Sequence, residues 1–118
     1  MALGRVESQH FPYLPLTISI GNRTVQVEAL FDTGFDGDVA APPQLIMDGR
    51  PPDEYRTWSL ADGSVIAAPL YYGTVRVGGF DPVPADVAAI GDEPLVGRGV
   101  SDRYGVYLDR GQRLIIEP

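Results

Sequence analysis

Glycine and proline interrupt this chain so often that it leaves little room for a long helix. The 118 residues include 14 glycines and 11 prolines. Glycine favours turns, and proline lacks the amide donor that helices and central strands need. Between these residues lie short runs such as residues 16–20, in which apolar and polar side chains alternate. That period of two is typical of a strand with one buried face, so the sequence predicts a mostly β protein with one or two short helices.

Charge and composition exclude several classes of function. Sixteen acidic residues against nine arginines leave a net charge of −7, which disfavours binding to nucleic acid. The absence of cysteine rules out disulfides, a thiolate nucleophile and a cysteine-based metal site. His10 has no partner that would suggest a metal site or a catalytic triad. The N-terminal residues lack a signal-like apolar core, and no later run is long enough for a membrane span. We therefore expect a soluble cytoplasmic protein with no cofactor, metal or membrane partner.

The strand pattern predicts a single domain, residues 15–118, preceded by a loose N-terminal arm, residues 1–14. Gly21-Asn22 and Asp62-Gly63 are typical hairpin turns. Single helical turns are expected at residues 42–46 and 101–104. Strands are predicted at residues 16–20, 24–31, 39–41, 58–60, 65–67, 70–77, 83–90, 95–96 and 113–116.

The sharpest local signal is Asp32-Thr33-Gly34, which directly follows the apolar end of a predicted strand. A carboxylate that acts as a general base needs a fixed position, and a turn leaving a core strand provides one. The hydroxyl of Thr33 is expected to fix the turn, and Gly34 permits close approach to the backbone. The alternative without a function is an ordinary turn that contains an aspartate, since Asp-Thr-Gly can also arise by chance.

A second segment strengthens the catalytic interpretation. Leu95-Val96-Gly97-Arg98 places an apolar pair before Gly-Arg, with a short helix expected after it. Together with the first hairpin, the Asp-Thr-Gly turn and the Ala61–Ser64 turn, this ordered set resembles a retropepsin-like aspartic protease. The resemblance is to the small bacterial kind related to retroviral proteases, and it covers about residues 16–116. The Ala61-Asp62-Gly63-Ser64 turn falls where that family has the tip of its flap.

The resemblance implies a closed β-barrel half that is active as a two-fold homodimer. The two Asp32 carboxyls would share one proton and hold the water that attacks a peptide bond. Thr33 and Gly34 would support the loop, with no metal. Partner contacts are expected from the Asp-Thr-Gly loops and from the strand at residues 114–116.

Several further roles follow from the same resemblance. Phe35, Asp36 and the Ala61–Ser64 turn are expected to contact substrate or form the flap, and Asp36 is expected to pair with Arg98. Phe35 stands where better-known members have Ala, Ser or Thr, and it cannot donate a hydroxyl hydrogen bond to Asp32. Gly99 replaces the usual Asn or Asp.

Two alternatives remain beside an endopeptidase acting on peptides or proteins. One is a non-catalytic dimeric module that uses the same groove for peptide binding or assembly, because a fold does not fix a function. The other is an unrelated β-sandwich in which the tripeptide occurs by chance.

Overall fold

The computed structural model describes residues 4–118, and its architecture is almost entirely β. The strands are β1 (Val6–Glu7), β2 (Tyr13–Ile20), β3 (Arg23–Phe31), β4 (Val39–Ala41), β5 (Glu54–Ser59), β6 (Val65–Val77), β7 (Val83–Ala89), β8 (Leu95–Val96), β9 (Gly105–Asp109) and β10 (Arg113–Glu117). Two short helices, α1 (Pro43–Ile46) and α2 (Arg98–Ser101), complete it. No helix in residues 4–118 is long and apolar enough to cross a membrane.

Six strands form a closed barrel in the order β2-β3-β8-β4-β7-β6, because β6 also pairs with β2. The alternation predicted for β2 has the expected effect: Leu14, Leu16, Ile18 and Ile20 point into the core and are at most 3% exposed. Side chains between them lie on the outer face, as strand geometry requires. The predicted fold class, a mostly β closed barrel with two short helices, is confirmed.

The long strand β6 joins two segments that the sequence predicted as separate strands. Its first part pairs with β5 in the hairpin that was expected around Asp62-Gly63, and its second part pairs with both β7 and β2. Gly73 lies where β6 changes partners. A Cβ at this position would collide with the carbonyl oxygen of Ser19 on β2, so the glycine permits the close approach that closes the barrel.

The N- and C-terminal segments form a second sheet, in the order β1-β10-β9. Strand β9 was not predicted, and β2 begins at Tyr13, three residues before its expected start. The predicted loose arm therefore contains β1, which pairs with β10. The division of the chain at residue 15 stays a prediction.

Strand β10 does not have the free edge expected of a dimer contact at residues 114–116. Within the described residues, β1 pairs along one side of it and β9 along the other. The amide of Ser8 extends the first pairing by donating to the carbonyl of Leu114, at 2.9 Å. Both edges of β10 are thus occupied by strands of its own chain, and a dimer contact through residues 114–116 stays a prediction.

Candidate active site

Asp32 lies immediately after β3, in a turn fixed by hydrogen bonds from the main chain. Its amide donates to the carbonyl of Val96 at 3.0 Å, which ties the turn to β8. Its carboxylate oxygen Oδ1 accepts the amide of Gly34 at 2.9 Å, and the amide of Phe35 donates to its carbonyl at 3.2 Å. The hydroxyl of Thr33 forms no hydrogen bond with any other described residue, and its expected role in fixing the turn stays a prediction. Asp32 is partly exposed, and Thr33 and Gly34 are exposed.

The segment after β8 holds the rest of this loop through consecutive backbone amides. The amides of Gly97, Arg98 and Gly99 all donate to backbone carbonyls of residues 35–38. The distances are 2.9 Å for Gly97 to Asp38, 2.9 Å for Arg98 to Phe35 and 3.0 Å for Gly99 to Gly37. The two segments singled out in the sequence are therefore in direct contact, and each positions the other.

Gly97 is required at the centre of this contact. A Cβ there would lie 2.6 Å from the carbonyl oxygen of Phe35 and closer still to that of Gly37. Both carbonyl oxygens belong to the backbone and accept the hydrogen bonds just described. They therefore cannot move aside as a flexible side chain could. The small residue is needed for close approach and not for an unusual backbone angle.

The glycine at position 99 also has a structural reason. A Cβ at Gly99 would collide with Oδ1 of Asp38, whose other carboxylate oxygen accepts the amide of Asp86 at 2.8 Å. The Asp38 carboxylate thus occupies the space that a larger residue at 99 would need. With Gly97 as its N-cap, α2 begins at Arg98, one turn before the predicted helix at residues 101–104.

Asp36 and Arg98 do not form the expected ion pair within the chain. The Arg98 guanidinium lies 3.6 Å from the carboxylate of Asp102, one helical turn further along α2. Asp36 is exposed and makes no salt bridge with any residue in 4–118. The acid that lies against this segment is Asp38. Sequence reasoning predicted no contact between Asp38 and this segment, although the position of Asp38 before the short strand β4 was visible.

Phe35 is directed into an apolar cluster. Its ring packs against the indole of Trp58 on β5, with ring centroids 5.2 Å apart and a tilt of 54°. Both rings lie over Gly37, where a Cβ would be 2.5 Å from the Phe35 ring and 2.7 Å from Trp58. The indole Nε1 of Trp58 is buried, with no hydrogen-bond partner in the described residues. These aromatic side chains connect the Asp32 loop to the tip end of the β5–β6 hairpin, where Trp58 pairs with Ile66.

The tip of that hairpin is exposed and makes its hydrogen bonds within the turn. The amide of Ser64 donates to Oδ1 of Asp62 at 2.9 Å, its hydroxyl donates to the same atom at 2.5 Å, and Leu60 and Ser64 pair through their backbones at 2.8 Å. The Ser64 hydroxyl, followed by its amide, lowers the pKa of the Asp62 carboxyl. Gly63 has a φ of +86°, the left-handed region that the Asp-Gly pair predicted. Ala61 is exposed beside it.

Two solved protease structures share this fold. A retropepsin-like aspartic protease from Rickettsia conorii matches with a TM-score of 0.63 and 20% identity, over 96% of this chain and 90% of that one. The foamy viral protease-reverse transcriptase, solved in complex with an RNA/DNA hybrid, matches with a TM-score of 0.56 and 18% identity, over 80% of this chain and 12% of the viral one. No protein-family model and no curated protein matches the sequence.

The fold is retropepsin-like. The family resemblance inferred from the ordered motifs is confirmed at the level of the fold, and a β-sandwich unrelated to it is excluded. The chain corresponds to nearly the whole Rickettsia protein but to about an eighth of the foamy viral chain. Within the retropepsin-like fold, the Asp32 turn and the Gly97 segment contact each other at the point where β3 and β8 end.

The exposed ion pair between Arg98 and Asp102 on α2 leads to a prediction of a small change in stability. Replacing Arg98 with alanine removes its contact with Asp102, and both side chains are more than half exposed. An exposed ion pair one helical turn apart contributes at most about 0.5 kcal/mol. We expect the free energy of unfolding, measured by urea denaturation, to fall by no more than that. A loss of several kcal/mol would show that Arg98 has a buried partner, as the sequence had suggested.

Proposed function

We propose that the chain is one half of an aspartic endopeptidase, whose active site forms when two copies bring their Asp32 carboxyls together. The observation that carries the proposal is the Asp32 turn itself. Its partly exposed carboxylate is held by the amide of Gly34, and its amide is held by the carbonyl of Val96. A carboxylate fixed by main-chain groups at the edge of a barrel is preorganised for acid–base chemistry. One chain carries one such turn, which supports a dimer.

In the proposed reaction the two carboxyls share one proton, because two close negative charges repel each other. The ionised carboxylate removes a proton from a water molecule as the water oxygen attacks the peptide carbonyl carbon. The protonated carboxyl donates to the carbonyl oxygen, which gives a neutral diol. As the diol collapses, the ionised carboxylate takes a proton from a diol hydroxyl, the protonated carboxyl gives its proton to the nitrogen, and the carbon–nitrogen bond breaks to release the amine. No metal or cofactor is required in this scheme.

The substrate is an extended peptide that lies between the Asp32 turns and the β5–β6 hairpin. Strand addition suits such a cleft because main-chain hydrogen bonds bind any sequence and side-chain pockets then select among sequences. Phe35 and Trp58 would form an apolar wall on one side of the cleft, because they connect the Asp32 loop to the tip end of the hairpin.

Cleavage of a peptide library tests the proposal. The purified chain is incubated with a mixture of peptides across acidic to neutral pH, and new termini are identified by mass spectrometry. We expect cuts within peptides rather than trimming from their ends. Binding of peptides without any new termini would favour the second candidate, a dimeric module that keeps the groove for binding.

The hairpin tip leads to a kinetic prediction. Replacing Gly63 with valine places a β-branched residue at a φ of +86°, and the strain amounts to about 1–2 kcal/mol. No atom lies within 4 Å of the new Cβ, so the strain alone should lower the melting temperature, by about 4–8 °C. If the tip closes over substrate, kcat/KM should fall more than the loss of stability explains. Peptide cleavage measured beside thermal unfolding checks this, and unchanged kinetics would exclude the tip as the flap.

A further inference from the structure

The outer face of β2, β3 and β6 carries a cluster of polar side chains. Strand β2 pairs with β3 on one side and with β6 on the other, so residues of the three strands lie side by side in rows. Side chains directly opposite each other in neighbouring strands have Cβ atoms about 5 Å apart. Two adjacent rows of three form what we call the polar array. Its residues are Gln26, Thr17 and Arg76 in one row and Thr24, Ser19 and Thr74 in the next.

The polar array lines a groove on the outside of the barrel. A depression of about 470 Å³ is bordered by all six of its residues. A second depression, of about 380 Å³, continues from Thr17 and Gln26 to Pro15 and Glu28, which form the next row of the same strands. The three rows are two residues apart along each strand, so the groove is about 13 Å long. An extended peptide of about five residues has the same length.

Most hydrogen-bonding groups of the polar array are free to bind a ligand. The hydroxyls of Ser19 and Thr24 lie 3.1 Å apart, and this is the only side-chain hydrogen bond that the array makes with residues 4–118. Hydroxyl and amide side chains can both donate and accept hydrogen bonds. A peptide main chain offers both kinds of group, so the array matches its chemistry.

Arg76 gives the polar array one positive charge. Elsewhere on the barrel, Arg56 lies 3.3 Å from the carboxylate of Glu54 and 3.4 Å from that of Asp86. Arg76 is exposed and makes no salt bridge with any described residue, although the chain has 16 acidic residues. Charges more than about 10 Å apart are largely screened at 0.1 M salt. A ligand in the groove therefore responds to Arg76 more than to the net charge of −7.

We infer that the polar array docks an extended peptide segment that carries one acidic side chain, with its carboxylate against Arg76. A guanidinium and a carboxylate form two parallel hydrogen bonds, which fix the register of the peptide. Glu28, in the adjoining row, would repel a second acid, so a single acid is preferred to a run of acids. The inference goes beyond the proposed function and does not depend on it, because Asp32 lies past the end of β3 and outside the groove.

Capped peptides of about seven residues test this docking. They consist of serine and threonine around one central residue, which is glutamate, glutamine or lysine. Binding to Asp32→Asn protein, used so that the peptides stay intact, is followed through the NMR shifts of backbone amides. We expect the glutamate peptide to shift the amides of the polar array and to bind about tenfold more tightly than the glutamine peptide. The lysine peptide should bind more weakly than both, and added salt should weaken the glutamate peptide most.

Substitutions in the array identify the groups that bind. Arg76→Ala should lower the affinity for the glutamate peptide about tenfold, and Arg76→Glu should reverse the preference toward the lysine peptide. Thr17→Val keeps the branched shape and removes the hydroxyl, so it should weaken binding about threefold. Arg103→Ala is the matched control, because Arg103 is also exposed and also makes no salt bridge with residues 4–118, but lies outside the groove. It should leave the affinity unchanged.

Equal affinity for the three peptides, or shifts confined to residues outside the polar array, would overturn the inference. Acetate or phosphate that binds as tightly as the glutamate peptide would show a site for small anions and overturn peptide docking. Shifts of the array on raising the protein concentration without peptide would make a second copy the occupant instead. If docking follows the expected pattern while Asp32→Asn still cleaves other peptides, the docking stands and the proposed function fails.

Discussion

Replacing Asp32 with asparagine is expected to lower kcat/KM for peptide cleavage at least about a thousandfold. Asparagine cannot accept the proton of the attacking water or supply one to the peptide carbonyl, and acid–base catalysis of this kind contributes about 10²–10⁴-fold for each role. The fold should survive the change, because an amide oxygen can accept the Gly34 amide in place of Oδ1. We expect the free energy of unfolding to change by less than about 1 kcal/mol.

The control is Asp92→Asn, which also replaces an exposed acid but lies in the loop between β7 and β8. It should cleave peptides at the wild-type rate. Full activity in Asp32→Asn, with contamination excluded by a second preparation, would remove Asp32 from the proposed mechanism.

Mixing the two proteins tests whether the site is shared. An excess of Asp32→Asn chains added to the wild type should reduce its activity, since subunit exchange converts active pairs into mixed pairs with one carboxylate. If all chains are dimeric and exchange freely, the activity of a fixed amount of wild type should fall to the fraction that wild-type chains make up of the mixture. Activity that is unaffected by the added variant would indicate that each chain works alone.

Replacing Gly97 with alanine is expected to destabilise the protein by about 3 kcal/mol or more. The new methyl group would press on the carbonyl oxygens of Phe35 and Gly37, and these atoms accept hydrogen bonds from the amides of residues 98 and 99. Overpacking typically costs about 1–3 kcal/mol, and fixed backbone obstacles place this site at the upper end. The melting temperature, measured by circular dichroism, should fall by more than about 10 °C.

Gly105→Ala is the matched control, because a Cβ there meets nothing nearer than 3.9 Å and the residue lies in a strand. Its melting temperature should be unchanged or slightly higher, since alanine loses less backbone freedom than glycine on folding. A Gly97→Ala protein as stable as the wild type would mean that the segment after β8 moves away from the Asp32 loop without cost. Loss of activity should accompany the expected loss of stability, because Val96 holds the Asp32 amide.

The local parts of the fold were accessible from sequence. Alternation over residues 16–20, together with the Gly21-Asn22 turn, predicts a hairpin whose two strands are neighbours in the chain, and β2 and β3 form it. The short strand β4 and the β8 pair were predicted with the bounds they have in the structure. In each case the side-chain period and the turn residues act over a few positions, so a short window of sequence contains the whole signal.

Contacts between segments far apart in the chain were harder to predict from the sequence. The partner of Arg98 was predicted to be Asp36, yet α2 begins a turn earlier than expected and brings Asp102 within 3.6 Å. The role of Asp38 became visible only when Gly99 and the Asp86 amide were placed around its carboxylate. The period of a strand tells which face is buried but not which segment covers it, so such pairings depend on the three-dimensional arrangement.

The sequence by itself determined the β class, the position of the Asp-Thr-Gly turn after an apolar strand, and the hairpin at Asp62-Gly63. These features depend on local conformational preference and on side-chain period, which each segment carries alone. The tertiary structure decided how the barrel closes through β2 and β6, why positions 97 and 99 are glycines, and which polar side chains of β2, β3 and β6 lie side by side. Those features depend on the distance between segments far apart in the chain, and only packing of the whole domain sets that distance.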